Sequence, residues 1–533
     1  MTARSAIRQA VPLATWSFGT MIVVSSMLVV VPASNAGEGA PTAAADTRSP
    51  SIRPGFAPGP LVVSAKNPRY FMIEAGRAAD EHVVYLTGSH VWNNFHDGLG
   101  PGAPCASEQN DFGAYLNFLQ AHGHNFIRLW RWEQFKSQVG GGGFHACMTP
   151  QPWPRTGPGT ASDGKPRFDL SGFDPPYCHR LLDRVIAAGN KGIYVSVMLF
   201  DGFCLTQCPA PDNVAGHPFA AGNNINGIGI TSISDYQVFP LEPAVQAIQE
   251  AYIHKVVDTV QDLPNVLYEV ANESTNSTSE WGDSTAWQYW VIDSLKAYET
   301  RMRYERHPVG MTFQIGKFDK SPSGNPSQPP DAPRNTPLFE SPADWISPGY
   351  EEEYFVDPWY TDPPASDGPK VIISDTDHYA SGLGDALWAW KSFLRGHNPI
   401  LMDFGIIDVV DPLDPSLGVP SYESFEPARY AMGDTLRLAE RVDLIDMEPR
   451  GDLSSTGYAL ADPGNQYVVL QPSEAETFTV TMAAGRYVAE WYSVTTRHTR
   501  RTGAVAVKDE AAVSFTAPFA PSGASILVLK RVA

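Results

Sequence analysis

Residues 265–273 read NVLYEVANE: an apolar, β-branched run from Asn265 to Val270, then Ala271 and the polar pair Asn272-Glu273. A run this short and this apolar predicts a strand buried on both faces, as strands of parallel sheets are. The segment before it carries Ile248, Tyr252, Val256 and Val260 at helical spacing, so a helix leads into the strand. Working outward, the same unit recurs. Upstream lie His82 to Thr87 (HVVYLT), Asn125 to Trp130 (NFIRLW) and Gly192 to Leu199 (GIYVSVML). Downstream lie His307 to Phe313 (HPVGMTF), Trp345-Ile346, Lys370 to Ser374 (KVIIS) and Pro399 to Met402 (PILM). Amphipathic stretches separate the runs, among them Asp111 to Ala121, the segment with Leu181, Leu182, Val185 and Ile186, Trp287 to Tyr298 and Ala386 to Leu394. Eight buried strands with helical crossovers predict an α/β fold, a (β/α)₈ barrel over residues 58–440. Long Gly/Pro/Asn-rich segments follow strands two, three, five and six, at the end where barrel enzymes build their sites.

After residue 440 the texture changes. Leu460, Tyr467 to Leu470, Phe478 to Met482, Tyr487 to Tyr492, Ala504 to Val507 and Ala524 to Leu529 are short runs with turn residues between them. They predict an all-β sandwich over 441–533, an accessory module that binds polysaccharide or covers an apolar face of the barrel. At the other end, Arg4 and Arg8 precede an apolar stretch clearest from Thr20 to Ala33, and Ser34-Asn35-Ala36 offers small residues for cleavage. Residues 1–36 read as a signal peptide of a secreted or extracytoplasmic protein. The apolar core is short of the ~20 residues a spanning helix needs, so no stable membrane insertion is expected. Residues 37–57 read as a disordered linker. Export permits disulfides. Cys204 and Cys208 flank a short loop and can pair, as can Cys105 and Cys147; Cys178 opens a helix and reads as a buried thiol.

With 38 basic and 58 acidic residues the formal charge is −20. Nucleic-acid binding depends on neutralising phosphates with Lys and Arg, so that partner class is excluded. No CxxC pair or HExxH helix is present, and no metal or other cofactor is called for.

Barrel chemistry sits where strands end. Strand one offers His90, Trp92 and Asn93; strand two Arg128, Trp130 and Trp132; strand three Asp201; strand four Asn272 and Glu273. Strand five offers Gln314, strand six Tyr350 just beyond it, strand seven Asp375, Asp377 and His378, and strand eight Asp403. Cleaving a glycosidic bond needs two carboxyl groups on opposite sides of it, one of them protonated near neutrality. Glu273 and Asp375 can face each other across a barrel mouth, Glu273 as acid/base and Asp375 as nucleophile, with Asp377 the alternative second carboxylate. Asn272 can hold a ring hydroxyl beside the reacting carbon, and Arg128 can hold the nucleophile ionised. His90, Trp92 and Trp130 are candidate sugar platforms, and Asn93, Gln314, Tyr350, Asp377, His378 and Asp403 candidate contacts. The expected partner is a poly- or oligosaccharide.

The segments VLYEVANES (266–274) and NFIRLW (125–130) resemble the retaining (β/α)₈ glycoside hydrolase clan, which carries an Asn-Glu acid/base after strand four, a Glu nucleophile after strand seven and a strand-two arginine. YLTGSHVWNN, IRLW, DTDH and GDLSSTGYAL extend the resemblance, over residues 58–531, to a group of bacterial cellulase-like proteins whose C-terminal domain is described as collagen-binding. The resemblance implies a retaining exported hydrolase. One departure stands out: Asp375 occupies the place of the strand-seven glutamate and is one methylene shorter. Retaining pairs sit ~5–5.5 Å apart and inverting pairs ~6.5–9.5 Å, so inversion is the live alternative. A second reading keeps the barrel as a non-catalytic carbohydrate-binding or adhesin protein. A third, a metal-dependent hydrolase built on His90, Asp375, Asp377 and His378, lacks paired strand-one histidines. A collagenase is set aside for want of a zinc-protease helix or a nucleophile elbow.

Overall fold

A computed structural model describes residues 55–73, 82–92, 94–101, 111–139, 144–208, 212–316, 335–350, 358–380, 385–403, 425–473, 477–519 and 523–532. The expected leader, nearly all of the linker, Asn93 and Cys105 lie outside the described residues. Eight strands form one parallel sheet: β1 (Gly88–His90), β2 (Phe126–Leu129), β3 (Tyr194–Asp201), β4 (Val266–Asn272), β5 (Val309–Thr312), β6 (Trp345–Ser347), β7 (Val371–Asp375) and β8 (Asn398–Met402). Their order is β1-β8-β7-β6-β5-β4-β3-β2, every pairing parallel. β1 and β2 meet at the seam: Asn125 N–H donates to Thr87 O (3.0 Å), and the Asn125 side chain accepts from Thr87 N and donates to Tyr85 O. This is the (β/α)₈ barrel that the eight-fold alternation predicts.

Most strand predictions land within a few residues; the first does not. Val83–Val84 pairs with Phe71–Ile73, which pairs with Leu61–Val63, in a separate antiparallel sheet, and the barrel strand begins only at Gly88. The reason is packing. Leu61 and Phe71 pack with Leu86, Phe126, Tyr194, Leu267, Trp345, Val371 and Ile400, at or near the starts of barrel strands, and plug the barrel floor. Gly88 lies so close to β2 that a Cβ there would sit 2.3 Å from Phe126 O.

The outer helices begin where the sequence supplies caps. In α1 (Phe112–His122), Asp111 accepts from Ala114 N, and Gly123 ends the helix in the left-handed region. Proline at the first turn starts α2 (Pro175–Gly189) and α3 (Pro243–Val260). The set continues with α4 (Thr285–Met302), α5 (Ala386–Leu394), capped by Asp385, and α6 (Glu426–Ala439).

The long segments after strands two and three have structure of their own. Phe144–Thr149 pairs with Asp97–Pro101 on one side and Ser137–Val139 on the other, Arg155–Thr160 pairs with Pro166–Phe168, and short helices follow β3. Cys204 and Cys208 are joined. Cys147 is also disulfide-bonded, while its expected partner Cys105 lies outside the described residues. Cys178 is a free thiol, half-buried rather than buried, and burial pushes its pKa up.

The C-terminal strands are β9 (Glu448–Pro449), β10 (Ala459–Asp462), β11 (Gln466–Gln471), β12 (Phe478–Met482), β13 (Gly485–Ser493), β14 (Thr499–Val507), β15 (Ala511–Phe515) and β16 (Ser525–Arg531). Six form an antiparallel sheet, β9-β10-β11-β16-β13-β14, and β12 and β15 pair separately. Alternation along β11 and β16 explains the packing on both faces. Tyr467, Val469, Leu527 and Leu529 meet Phe478, Val480 and Met482 of the small sheet, while Val468, Leu470, Ile526 and Val528 join the barrel's core. Trp390 of α5 lies 5.6 Å from the Tyr492 ring, and Asp434 of α6 accepts from Arg497 Nε (2.9 Å) and the Tyr492 hydroxyl. The module thus covers an apolar side of the barrel.

One close packing contact of the barrel is directly testable. A Cβ on Gly310 of β5 would fall 1.9 Å from the fully buried Trp345 ring of β6, whereas Gly503 of β14 has nothing within 4 Å. Overpacking of this kind costs about 1–3 kcal/mol. Thermal melts should show Gly310→Ala lowering the midpoint by several degrees and Gly503→Ala leaving it in place; equal midpoints would contradict the packing.

Candidate active site

Arg128 projects from β2 into the barrel with its guanidinium fully buried. Its Nε and Nη2 donate to the two carboxylate oxygens of Glu269 on β4, at 2.9 and 2.6 Å. Nη2 also donates to Asn272 Oδ1 at 2.9 Å, and Nη1 to Asp375 Oδ2 at 2.7 Å. Asp377 Oδ2 stands 3.6 Å from Nη1. One cation therefore ties the end of β4 to the end of β7 across the barrel. Asn272, held by this cation, immediately precedes Glu273 in the chain. Sequence reading missed Glu269, although a charged residue inside an apolar strand run calls for a buried partner.

Asp375 is completely enclosed. Burial works against its ionisation, but His90 and Arg128 outweigh burial and hold the carboxyl well below the usual range. His90 Nε2 lies 2.8 Å from the same Oδ2, poorly aligned for a hydrogen bond, while Oδ1 accepts from Asp377 N at 3.0 Å. Trp130 Nε1 donates to His90 Nδ1 at 2.9 Å, which turns the Nε2 edge of the ring towards Asp375. Asp377 behaves oppositely: burial, then the charge of Asp375, push its carboxyl up. His378 Nδ1 pairs with Ser347 Oγ at 3.0 Å rather than with Asp377, and burial lowers its pKa to about 3, so it is neutral. Tyr350 N donates to His378 O, and the Tyr350 ring packs on Phe313.

An aromatic wall stands on the β1–β2 side. The Trp130 ring lies parallel to His90 at 6.0 Å and 6.4 Å from Trp132, and Trp92 meets Trp132 edge-on. Trp132 Nε1 donates to Trp92 O. Trp130 and Trp132 are buried, so half-buried Trp92 offers the accessible aromatic surface. Asn94, also missed in the sequence, fastens the wall by donating to Arg128 O and accepting from Trp130 N.

Glu273 is half-buried and has φ 48°, a left-handed conformation costly for a residue with a Cβ. Beside it, Asp201 Oδ1 accepts from Asn272 Nδ2 at 3.5 Å. Burial, then the neighbouring Glu133, push the Asp201 carboxyl up to about 7. Glu133 itself is buried; Arg131 and His217 outweigh that burial and hold it below its ordinary value, and Tyr236 donates to it at 2.5 Å.

Two predicted contacts are turned elsewhere. Gln314 Nε2 donates to Thr275 O, Ser284 Oγ and Thr285 Oγ1, fastening the segment after β4. Asp403 forms a two-pronged pair with Arg429 of α6, at 2.6 and 2.7 Å. Among the described residues no His, Cys, Asp and Glu group has the arrangement of a metal site. Likewise, no described helix is long and apolar enough to cross a membrane.

Neither a family model nor a curated protein matches the sequence. Solved structures do match the fold. A protein titled "Glycoside hydrolase" superposes with a TM-score of 0.54 at 14% identity, covering 90% of this chain and 99% of its own. A glycoside hydrolase family 5 structure from Bacteroides vulgatus ATCC 8482 gives 0.54 at 13% identity, covering 89% and 93%. At such identities the likeness is one of fold.

The raised carboxyl of Asp201 has a signed consequence. Its folded value of about 7 exceeds the unfolded value near 4, so the folded state binds the extra proton between them. Its contribution therefore favours folding at low pH and turns unfavourable as pH rises through that window. The stability of Asp201→Asn relative to wild type should rise between pH 5 and pH 8 in paired thermal melts; a pH-independent difference would refute the assignment.

Proposed function

We propose that the protein is an exported glycoside hydrolase that cleaves a poly- or oligosaccharide by retaining double displacement, with Glu273 as acid/base and Asp375 as nucleophile. The observation that carries this reading is the Arg128 bridge, which joins Asp375 on β7 to the residue before Glu273 on β4.

The nucleophile must be ionised, and Asp375 is held so by Arg128 and His90 despite its burial. It must also retain a reactive lone pair. Glu269 takes two of the guanidinium's arms, which keeps Arg128 from neutralising Asp375 completely. Asp375 attacks the anomeric carbon while Glu273 gives its proton to the departing oxygen, leaving a glycosyl ester. Glu273 then takes a proton from water as that water displaces Asp375. Arg128 turns Asn272 Oδ1 inward, so the Asn272 amide presents N–H to a ring hydroxyl. Trp92 supplies an apolar platform for a sugar face.

A second assignment has its own support. The Asp377 side chain is 10% exposed whereas that of Asp375 is at 0%, and Asp377 holds its proton more tightly. Asp377 would then be the second working carboxyl, with Asp375 its electrostatic neighbour.

Hydrolysis of a panel of plant and bacterial polysaccharides and aryl glycosides tests both. Glu273→Ala and Asp375→Ala should lose on the order of 10³-fold or more in rate, with Asp377→Ala losing far less. Persistent activity in Asp375→Ala with loss in Asp377→Ala would move the second role to Asp377. Glycan binding with no turnover by wild type would favour a non-catalytic binding protein. The stereochemistry is read separately, by NMR of the first product. The retained anomer is expected, and an inverted one would end the double-displacement assignment.

A further inference from the structure

We propose that Asp201 and Gly202, at the end of β3, form a positioning clamp that sets the amide of Asn272 and the backbone of Glu273. The clamp rests on the reading of Glu273 as the acid.

Three sets of contacts converge on it. The Asn272 side chain is held from both ends: Arg128 donates to its Oδ1, and its Nδ2 donates to Asp201 Oδ1. A donor on one side and a carboxyl acceptor on the other allow only one orientation of the amide. The backbone is held as well. Gly202 N donates to Asn272 O at 2.7 Å, and Ile315 N donates to Ser274 O at 2.8 Å, so the carbonyls on either side of Glu273 are both fixed. Ser274 Oγ donates to Gln237 Oε1 at 2.7 Å, and Gln237 reaches back to Asp201 O. Between these anchors Glu273 keeps its left-handed φ of 48°.

Gly202 is required by proximity and not by its own dihedral, since its φ is −94°. A Cβ there would lie 2.6 Å from Glu273 O and 2.8 Å from Ser274 Cα, both of them backbone. The clamp is in turn fastened to its own loop. The Asp201 carboxyl accepts from Phe203 N and Cys204 N, its amide donates to Glu133 Oε1, and Cys204 is tied to Cys208. Asp201 is thus a positioning residue that acts through Asn272, and Gly202 one that acts through the Glu273 peptide.

A displaced acid has a kinetic signature that general damage lacks. A dinitrophenolate departs without a proton, whereas a 4-methylphenolate needs one from Glu273. Gly202→Ala should therefore lose about 100-fold in kcat/KM on the 4-methylphenyl glycoside of whichever sugar wild type releases, and under about five-fold on the 2,4-dinitrophenyl glycoside. Equal losses on both, or none, would overturn the clamp. Glu273→Ala is measured alongside. If it shows the leaving-group dependence and Gly202→Ala does not, the clamp alone fails; if Glu273→Ala shows none, the acid assignment fails. A readout independent of activity is the crystal structure of Gly202→Ala, or of Asp201→Ala where the former does not fold. The expected result is relaxation of the Glu273 φ or rotation of the Asn272 amide; unchanged geometry at both would sink the proposal.

Discussion

A guanidinium buried inside a barrel is tolerable only when its donors are met and its charge is balanced, because desolvating a charge costs several kcal/mol. Arg128 meets that constraint with one bidentate partner, Glu269, and two monodentate ones, Asn272 and Asp375. The charges then explain the titration. Asp377, 3.6 Å from the same guanidinium, is the carboxyl pushed up, first by burial and then by the charge of Asp375. Two aspartates two residues apart thus acquire opposite proton affinities: His90 and Arg128 outweigh burial at Asp375, while burial and the charge of Asp375 prevail at Asp377.

The same constraint governs geometry. Buried ion pairs are weak evidence for stability but good devices for register, since a mispaired charge is far more costly than a paired one. Arg128 spans from β2 to β4 and β7, so a slip of any of the three would strand a charge. Glu269, Asn272 and Asp375 thus cross-tie the site through one guanidinium. His90, Trp130 and Asn94 extend the bracing along the β1–β2 side, and Asp201 with Glu133 extend it along β3.

How much of this was legible in the sequence depended on whether the signal was local. Strand apolarity and helical spacing are local, so the barrel could be read, as could the expectation of chemistry after β4 and β7. Barrel strand β1 was misplaced because HVVYLT carries the stronger β pattern, yet its valines belong to the floor sheet. The short GSH segment becomes a strand through contact with β8 and closeness to β2. The sites of Gln314 and Asp403 were legible as strand ends, but their partners were not. Ser284 and Arg429 reach them from other elements, and nothing in the local sequence announces either pairing. Glu269 had a usable signal: VLYEVAN and NFIRLW each hold one charge of opposite sign inside an apolar run, and pairing them across the barrel is the economical way to bury both.

Asp375 in place of a longer glutamate now has a physical setting. A shorter carboxylate keeps its charge deeper, and this one sits at the last residue of β7, within reach of a guanidinium that is itself inside the barrel. Just past β4, Glu273 takes a left-handed φ, and the carbonyls of both its neighbours are held. On the proposed assignment, the separation between the two carboxyl groups decides between retention and inversion, and it depends on more than the lengths of an Asp and a Glu side chain. The Arg128 bridge anchors Asp375 on one side, and the held backbone anchors Glu273 on the other. On that assignment, a methylene lost at β7 is open to compensation by the backbone after β4, because Arg128 and the β3–β4 contacts hold the points from which the two side chains start.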